Sequence, residues 1–280
     1  MKFGAYIFPT DYSAPVDRVG QALEERGFES IFVPEHTHIP ANRETPYPGG
    51  GELPKQYSHT LDPFVALGAV AGVTKQLMLG TGISLVMERD PIILAKSVAS
   101  LDHISGGRVL FGVGGGWNKE EMRNHGTDPK LRWKVLRERV EAMQAIWTQE
   151  EASYHGETLH FEKIWSWPKP VQQPHPPIIL GSEGGRAFDR LLNYADGWIP
   201  FARGNEKLPE QIRELNERAA QAGRKPLTVT LFNVPTDPAR LAPLLEIPGV
   251  ERCLFGLPPE NESVILSRLD KLVGTMQQVA

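Results

Sequence analysis

Short apolar runs alternate with amphipathic stretches along the whole chain, the runs short enough for strands and the stretches spaced for helices. Strands are predicted at Lys2–Phe8, Ser30–Val33, Leu77–Ile83, Val109–Val113, Ile178–Gly181, Gly197–Phe201, Leu227–Asn233 and Arg252–Gly256. Helical patterns follow them at Val16–Arg26, Pro63–Val73, Ile92–His103, Leu131–Trp147, Arg186–Tyr194, Pro209–Ala222, Pro238–Leu245 and Glu262–Gln277. Strict alternation implies a parallel α/β sheet with right-handed crossovers. Eight such units match a closed (β/α)8 TIM barrel, expected as one domain over residues 1–280. A doubly wound open sheet is the competing fold, but its glycine fingerprint would follow the first strand, where this chain has Phe8-Pro9-Thr10.

Two segments are longer than a simple connection needs. Thr37–Thr60 follows the second strand, on the active rim of a barrel, and is a candidate lid. Gln149–Pro177 separates the fourth helix from the fifth strand and holds a predicted hairpin, Tyr154–Phe161, as a short insertion.

Composition narrows the function classes. The 280 residues are 40% hydrophobic and 23% charged, as expected of a globular chain. Net charge is -4 with no basic cluster, which argues against a nucleic-acid partner. No apolar run approaches the length of a membrane span, and no signal-peptide pattern opens the chain, so a cytoplasmic protein without a membrane partner is expected. Cys253 is the only cysteine, excluding an internal disulfide; its apolar surroundings place it in the core.

Candidate chemistry gathers at strand ends. Arg108-Val109-Leu110-Phe111-Gly112-Val113-Gly114-Gly115-Gly116-Trp117-Asn118 carries an apolar strand into glycines and then a helix-like stretch, where backbone N–H groups can face an anion. Ile179-Leu180-Gly181-Ser182-Glu183-Gly184-Gly185-Arg186 repeats the theme, with a guanidinium added. Both could equally be tight turns. Val33-Pro34-Glu35-His36-Thr37-His38 sets two imidazoles and a carboxylate on the expected rim. His36 can exchange a proton near neutral pH, with Glu35 orienting it or touching a cofactor. His36 and His38 lack further ligands nearby in sequence, and no metal site is expected. Gly80-Thr81-Gly82-Ile83 is a candidate bulge that admits a flat ligand, or a close strand contact. Trp117 and Trp198 could wall a ring-shaped ligand, whereas Trp133, Trp147, Trp165 and Trp167 are assigned to packing. No serine-hydrolase elbow, Walker loop or zinc-protease motif occurs.

Jointly these segments, with Asp90-Pro91 and Asp102-His103-Ile104-Ser105-Gly106-Gly107-Arg108, resemble the bacterial luciferase-like monooxygenase superfamily. The branch most similar is that of oxidoreductases using the deazaflavin coenzyme F420. The resemblance covers nearly the whole chain. It implies a TIM barrel, often a homodimer, that binds F420 or FMN at the strand ends. It also implies a cis peptide at Gly82–Ile83 backing the ring, and Glu35 and His36 beside it as catalytic residues. The cofactor phosphate would lie on Gly114, Gly115, Gly116 and Asn118 and on Gly181, Gly184 and Gly185, with Arg186 adjacent. Trp117 stands where the family's sugar-phosphate dehydrogenases carry an acid, so a more apolar small-molecule substrate is expected. Two-electron transfer between F420 and a small organic substrate is the resulting expectation. An FMN-dependent monooxygenase using O2 and a non-catalytic flavin-binding barrel are the alternatives. A phosphate-binding lyase or isomerase lacks an evident lysine base at a strand end.

Overall fold

The structure is a computed structural model describing residues 1–202, 204 and 206–279. Eight strands close into a parallel barrel: β1 (Lys2–Tyr6), β2 (Ser30–Val33), β3 (Met78–Thr81), β4 (Val109–Gly114), β7 (Ile178–Gly181), β8 (Gly197–Trp198), β9 (Thr228–Phe232) and β10 (Val250–Gly256). β1 closes the ring between β2 and β10. The remaining strands, β5 (Ala152–His155) and β6 (His160–Ile164), form the hairpin of the insertion, so the (β/α)8 expectation with its insertion holds. The helices are α1 (Val16–Glu25), α2 (Gln56–His59), α3 (Pro63–Val73), α4 (Pro91–Ser105), α5 (Lys119–Asn124), α6 (Arg132–Thr148), α7 (Ala187–Tyr194), α8 (Leu208–Gln221), α9 (Pro238–Leu245) and α10 (Glu262–Val279). Among the described residues, no helix is long and apolar enough to cross a membrane.

Strand alternation builds two cores. Ile31 and Val33 face the surrounding helices, while Phe32 points into the barrel with Leu110, Ile179, Ile199 and Leu254. Gly80 exists for Phe32: a Cβ there would stand 2.5 Å from its ring. Helices start where Asp meets Pro, because the carboxylate of Asp62 or Asp90 accepts the first free N–H groups of α3 or α4. At the end of α4, Gly106 adopts a left-handed conformation. The run that follows delivers Arg108, whose buried guanidinium donates to the carbonyls of Ala71, Thr74, Leu77 and Ser105, pinning the barrel floor.

Three expectations change. β8 stops at Trp198 rather than Phe201, since Pro200 has no N–H to donate and Phe201 rejoins the sheet only through a bridge to Phe232. β3 stops at Thr81, before the cis peptide at Gly82–Ile83. Trp165 and Trp167 are 75% and 59% exposed, not packed. Cys253 is buried in the core as expected.

Candidate active site

The C-terminal rim of the barrel gathers nearly every residue singled out from sequence. β2 and β3 run side by side, and the Gly82 N–H donates to the Val33 carbonyl, so the Glu35-His36 and Gly82-Ile83 segments leave neighbouring strand ends. Ile83 then occupies the space between β4 and β7. A Cβ on Gly114 would lie 2.8 Å from its side chain and one on Gly181 3.2 Å, so both glycines make room for this isoleucine. Ile83 packs against the inner-barrel cluster, as do Tyr6 and Phe232, whose rings stack 4.0 Å apart.

Glu35 is 2% exposed. Its carboxylate accepts from Ser84 Oγ at 2.7 Å, Leu85 N at 2.8 Å and Arg89 Nε, so it clamps the segment after β3 and does not orient His36. Arg89 also reaches Asp62, linking the clamp to α3. Although burial alone would raise the Asp62 carboxyl, Arg89 and the helix N–H groups hold it below its ordinary value.

His36 is oriented by Glu121 instead, a residue of α5 that sequence reading did not single out. His36 Nδ1 lies 2.8 Å from Glu121 Oε2, with the two side chains 7% and 0% exposed. Asn118 caps α5 by accepting from the Glu121 N–H, so the glycine loop, the cap and the carboxylate form one positioning unit. Tyr57 and Trp117 stand against the imidazole, Tyr47 packs on both of those rings, and Arg43 stacks on Trp117. Tyr57 donates to the Tyr47 hydroxyl; burial, then that bond, raises its phenol. These contacts place the Thr37–Thr60 segment over the rim, as a lid would lie.

His38 diverges from His36, pairing with Asn124 and, through Thr37, with His125. Burial, then His38, lowers the His125 imidazole. Beneath them Glu88, on the 3-10 turn Val86–Glu88, is pushed up to about 9, first by burial and then by the carboxylates of Glu121 and Glu35. It is a neutral acid at pH 7.

The second strand-end motif contributes differently from the first. Gly115 packs under the Trp133 indole, where a Cβ would lie 2.6 Å away, and Gly116 has φ +60. Gly184, Gly185 and Arg186 are exposed, Gly184 with φ +85 and nothing near its would-be Cβ. Arg190 stacks on Trp133 at 4.0 Å and donates to Ser182. Burial first, then the neighbouring Arg132 and Arg186, lowers its guanidinium. Among the described residues none of Arg132, Arg186 and Arg190 is in an ion pair, although the Asp189 carboxylate acts on Arg190 in the opposite sense. Trp198 walls nothing: it is 2% exposed and its N–H holds the Ser182 carbonyl. A groove of about 740 Å³ leaves the mouth past Tyr6, Phe8 and Leu257 toward Arg268 and Lys271 on α10.

A closed parallel barrel with a buried His–carboxylate pair and an exposed glycine turn at its strand ends has the architecture of the TIM-barrel class. Residues 8–236 match the model of the luciferase-like monooxygenase family, and the chain belongs to it. An uncharacterized protein of Mycobacterium tuberculosis, Rv0953c, is 41% identical over 99% of both chains. The fold is shared with the monooxygenase RslO1 of Streptomyces bottropensis (TM-score 0.81, 18% identity, 99% of each chain). It is also shared with an F420-dependent secondary alcohol dehydrogenase solved with an F420–acetone adduct (TM-score 0.74, 18% identity, covering 100% of this chain and 99% of that one).

Proposed function

We propose that this chain is an F420-dependent oxidoreductase, one luciferase-like barrel domain over residues 1–280, acting on a small, largely apolar organic substrate. The observation that carries the reading is the His36–Glu121 pair, buried and hydrogen-bonded beside the Ile83 ledge on the adjoining strand end.

The residues present fit a planar ring with an anionic tail. Ile83 is the apolar ledge of this reading, seated where Gly114 and Gly181 leave room for its side chain. The exposed Gly184-Gly185 turn and the Arg132, Arg186 and Arg190 guanidiniums offer N–H donors and positive charge to a phosphate. Gly115, Gly116 and Asn118 act one step back in this reading, shaping the loop against Trp133 and capping α5. When bound, the deazaflavin supplies the two-electron hydride transfer. His36 supplies the accompanying proton exchange. Glu121 accepts the Nδ1–H, which fixes the tautomer and leaves Nε2 to take a proton from a substrate hydroxyl or return one. Glu35 and Arg89 hold the segment carrying His36 rigid. Tyr57, Tyr47 and Trp117 give the pocket an apolar wall and exclude water.

The similarity in fold to an F420-dependent alcohol dehydrogenase supports this coenzyme; the family's description as monooxygenases keeps FMN with O2 as the second reading. A homodimer completes the proposal. Val65, Ile93 and Ile104 on the neighbouring helices α3 and α4 are 73%, 66% and 67% exposed, an apolar face suited to a second copy.

Titrating F420 and FMN separately into the purified protein tests the coenzyme. Tighter binding of F420, weakened about tenfold or more by Arg190→Ala through loss of a charge-assisted contact, is expected. Retention of FMN alone refutes the F420 assignment, and undiminished binding in Arg190→Ala refutes the phosphate cradle.

A further inference from the structure

The insertion carries a cluster unrelated to the barrel mouth. In the β5–β6 hairpin, Tyr154 pairs with Phe161 and His155 with His160. Phe161 is buried, and Tyr154 donates to Glu141 on α6, so this pair faces the body of the protein. Strand alternation then sends His160 and Glu162, two apart on one strand, to the opposite face, where His155 stands directly across. The three side chains are 60%, 59% and 58% exposed, in the order His155, His160, Glu162.

One ligand atom from each residue lies within 4.8 Å of the other two. Glu162 Oε1 is 3.6 Å from His155 Nε2 and 3.7 Å from His160 Nε2. A tetrahedral ion with bonds of about 2.0–2.1 Å separates its ligands by roughly 3.4 Å, so small side-chain rotations close the set. Glu162 meets no Lys or Arg among the described residues: Lys163 pairs with Glu151 and Lys134 with Glu157. One carboxylate facing two imidazoles, with no cation of the protein's own, is a donor set for a borderline divalent metal.

We propose that His155, His160 and Glu162 form a surface site for one transition-metal dication of the zinc, nickel or copper type, with solvent completing the coordination. The ion ties the two strands of the hairpin together at its outer face. This site is independent of the coenzyme reading.

The test titrates zinc chloride into chelator-treated full-length protein, followed by calorimetry, with cobalt absorption reporting coordination. One equivalent is expected to bind. Glu162→Gln, which keeps the side-chain shape, weakens binding by about tenfold or more, and His155→Ala/His160→Ala abolishes it. His38→Ala, which removes an imidazole from the His38–His125 group at the rim, leaves the equivalent in place. Unchanged zinc affinity in Glu162→Gln and in the double variant overturns the proposal, as does loss of the equivalent in His38→Ala.

Discussion

Replacing Glu88 by Gln should make the protein more stable at neutral pH, although the side chain is 1% exposed and lies among charged neighbours. Burial and the carboxylates of Glu121 and Glu35 raise its folded-state value from 4.5 to about 9. Between these limits the folded chain holds a proton that the unfolded chain has released. Stability is therefore fully retained below pH 4.5, falls by about 1.4 kcal/mol per pH unit up to about 9, and levels off above. At pH 7 the accumulated cost is about 3 kcal/mol. Glutamine is neutral in both states and avoids it. Urea denaturation of both proteins at pH 5, 6, 7 and 8 reads the difference directly, and contributions shared by the two chains cancel. The gain of Glu88→Gln should grow steadily across that range. A difference that stays flat with pH would mean that Glu88 is ionised in the folded protein, and the reasoning would fail.

Other outcomes follow from contacts described above. Glu121→Gln keeps the shape of the His36 partner but removes its charge; turnover should fall by about a hundredfold while coenzyme affinity changes less than about twofold, and a pH–rate profile separates lost proton transfer from misfolding. Arg108→Met strands the carbonyls of Ala71, Thr74 and Leu77 in the barrel floor, a loss of about 3 kcal/mol or more measurable as a lower urea midpoint. Ile93→Asp puts a charge in the middle of the exposed α3–α4 face and should yield a monomer in sedimentation velocity if the second copy docks there.

Much of the barrel could be read from sequence because alternation of strand and helix is a local signal, repeated at every unit. The exceptions have local causes too: Pro200 ends β8 early, and the exposed Trp165 and Trp167 sit in an insertion whose pattern carries no barrel periodicity. The site was half legible. Strand-end motifs announce His36, Ile83 and the glycines, since they are contiguous and chemically conspicuous. Glu121, Glu88, Arg132 and Arg190 come from a short helix, a turn, the start of α6 and the middle of α7, spread over about a hundred residues, and in a linear reading each resembles an ordinary solvated charge. Glu35 shows the converse: adjacency to His36 suggested cooperation, whereas its carboxylate is taken up by Ser84, Leu85 and Arg89.

The isoleucine lodged between two bare strand ends makes positions 83, 114 and 181 a single shared volume contributed by three distant parts of the gene. Enlarging either glycine alone overfills it, and trimming Ile83 alone leaves a hole. Drift at these sites is thus expected to proceed in concert, so that a homologue with alanine at the first position carries a bulkier residue at one of the others.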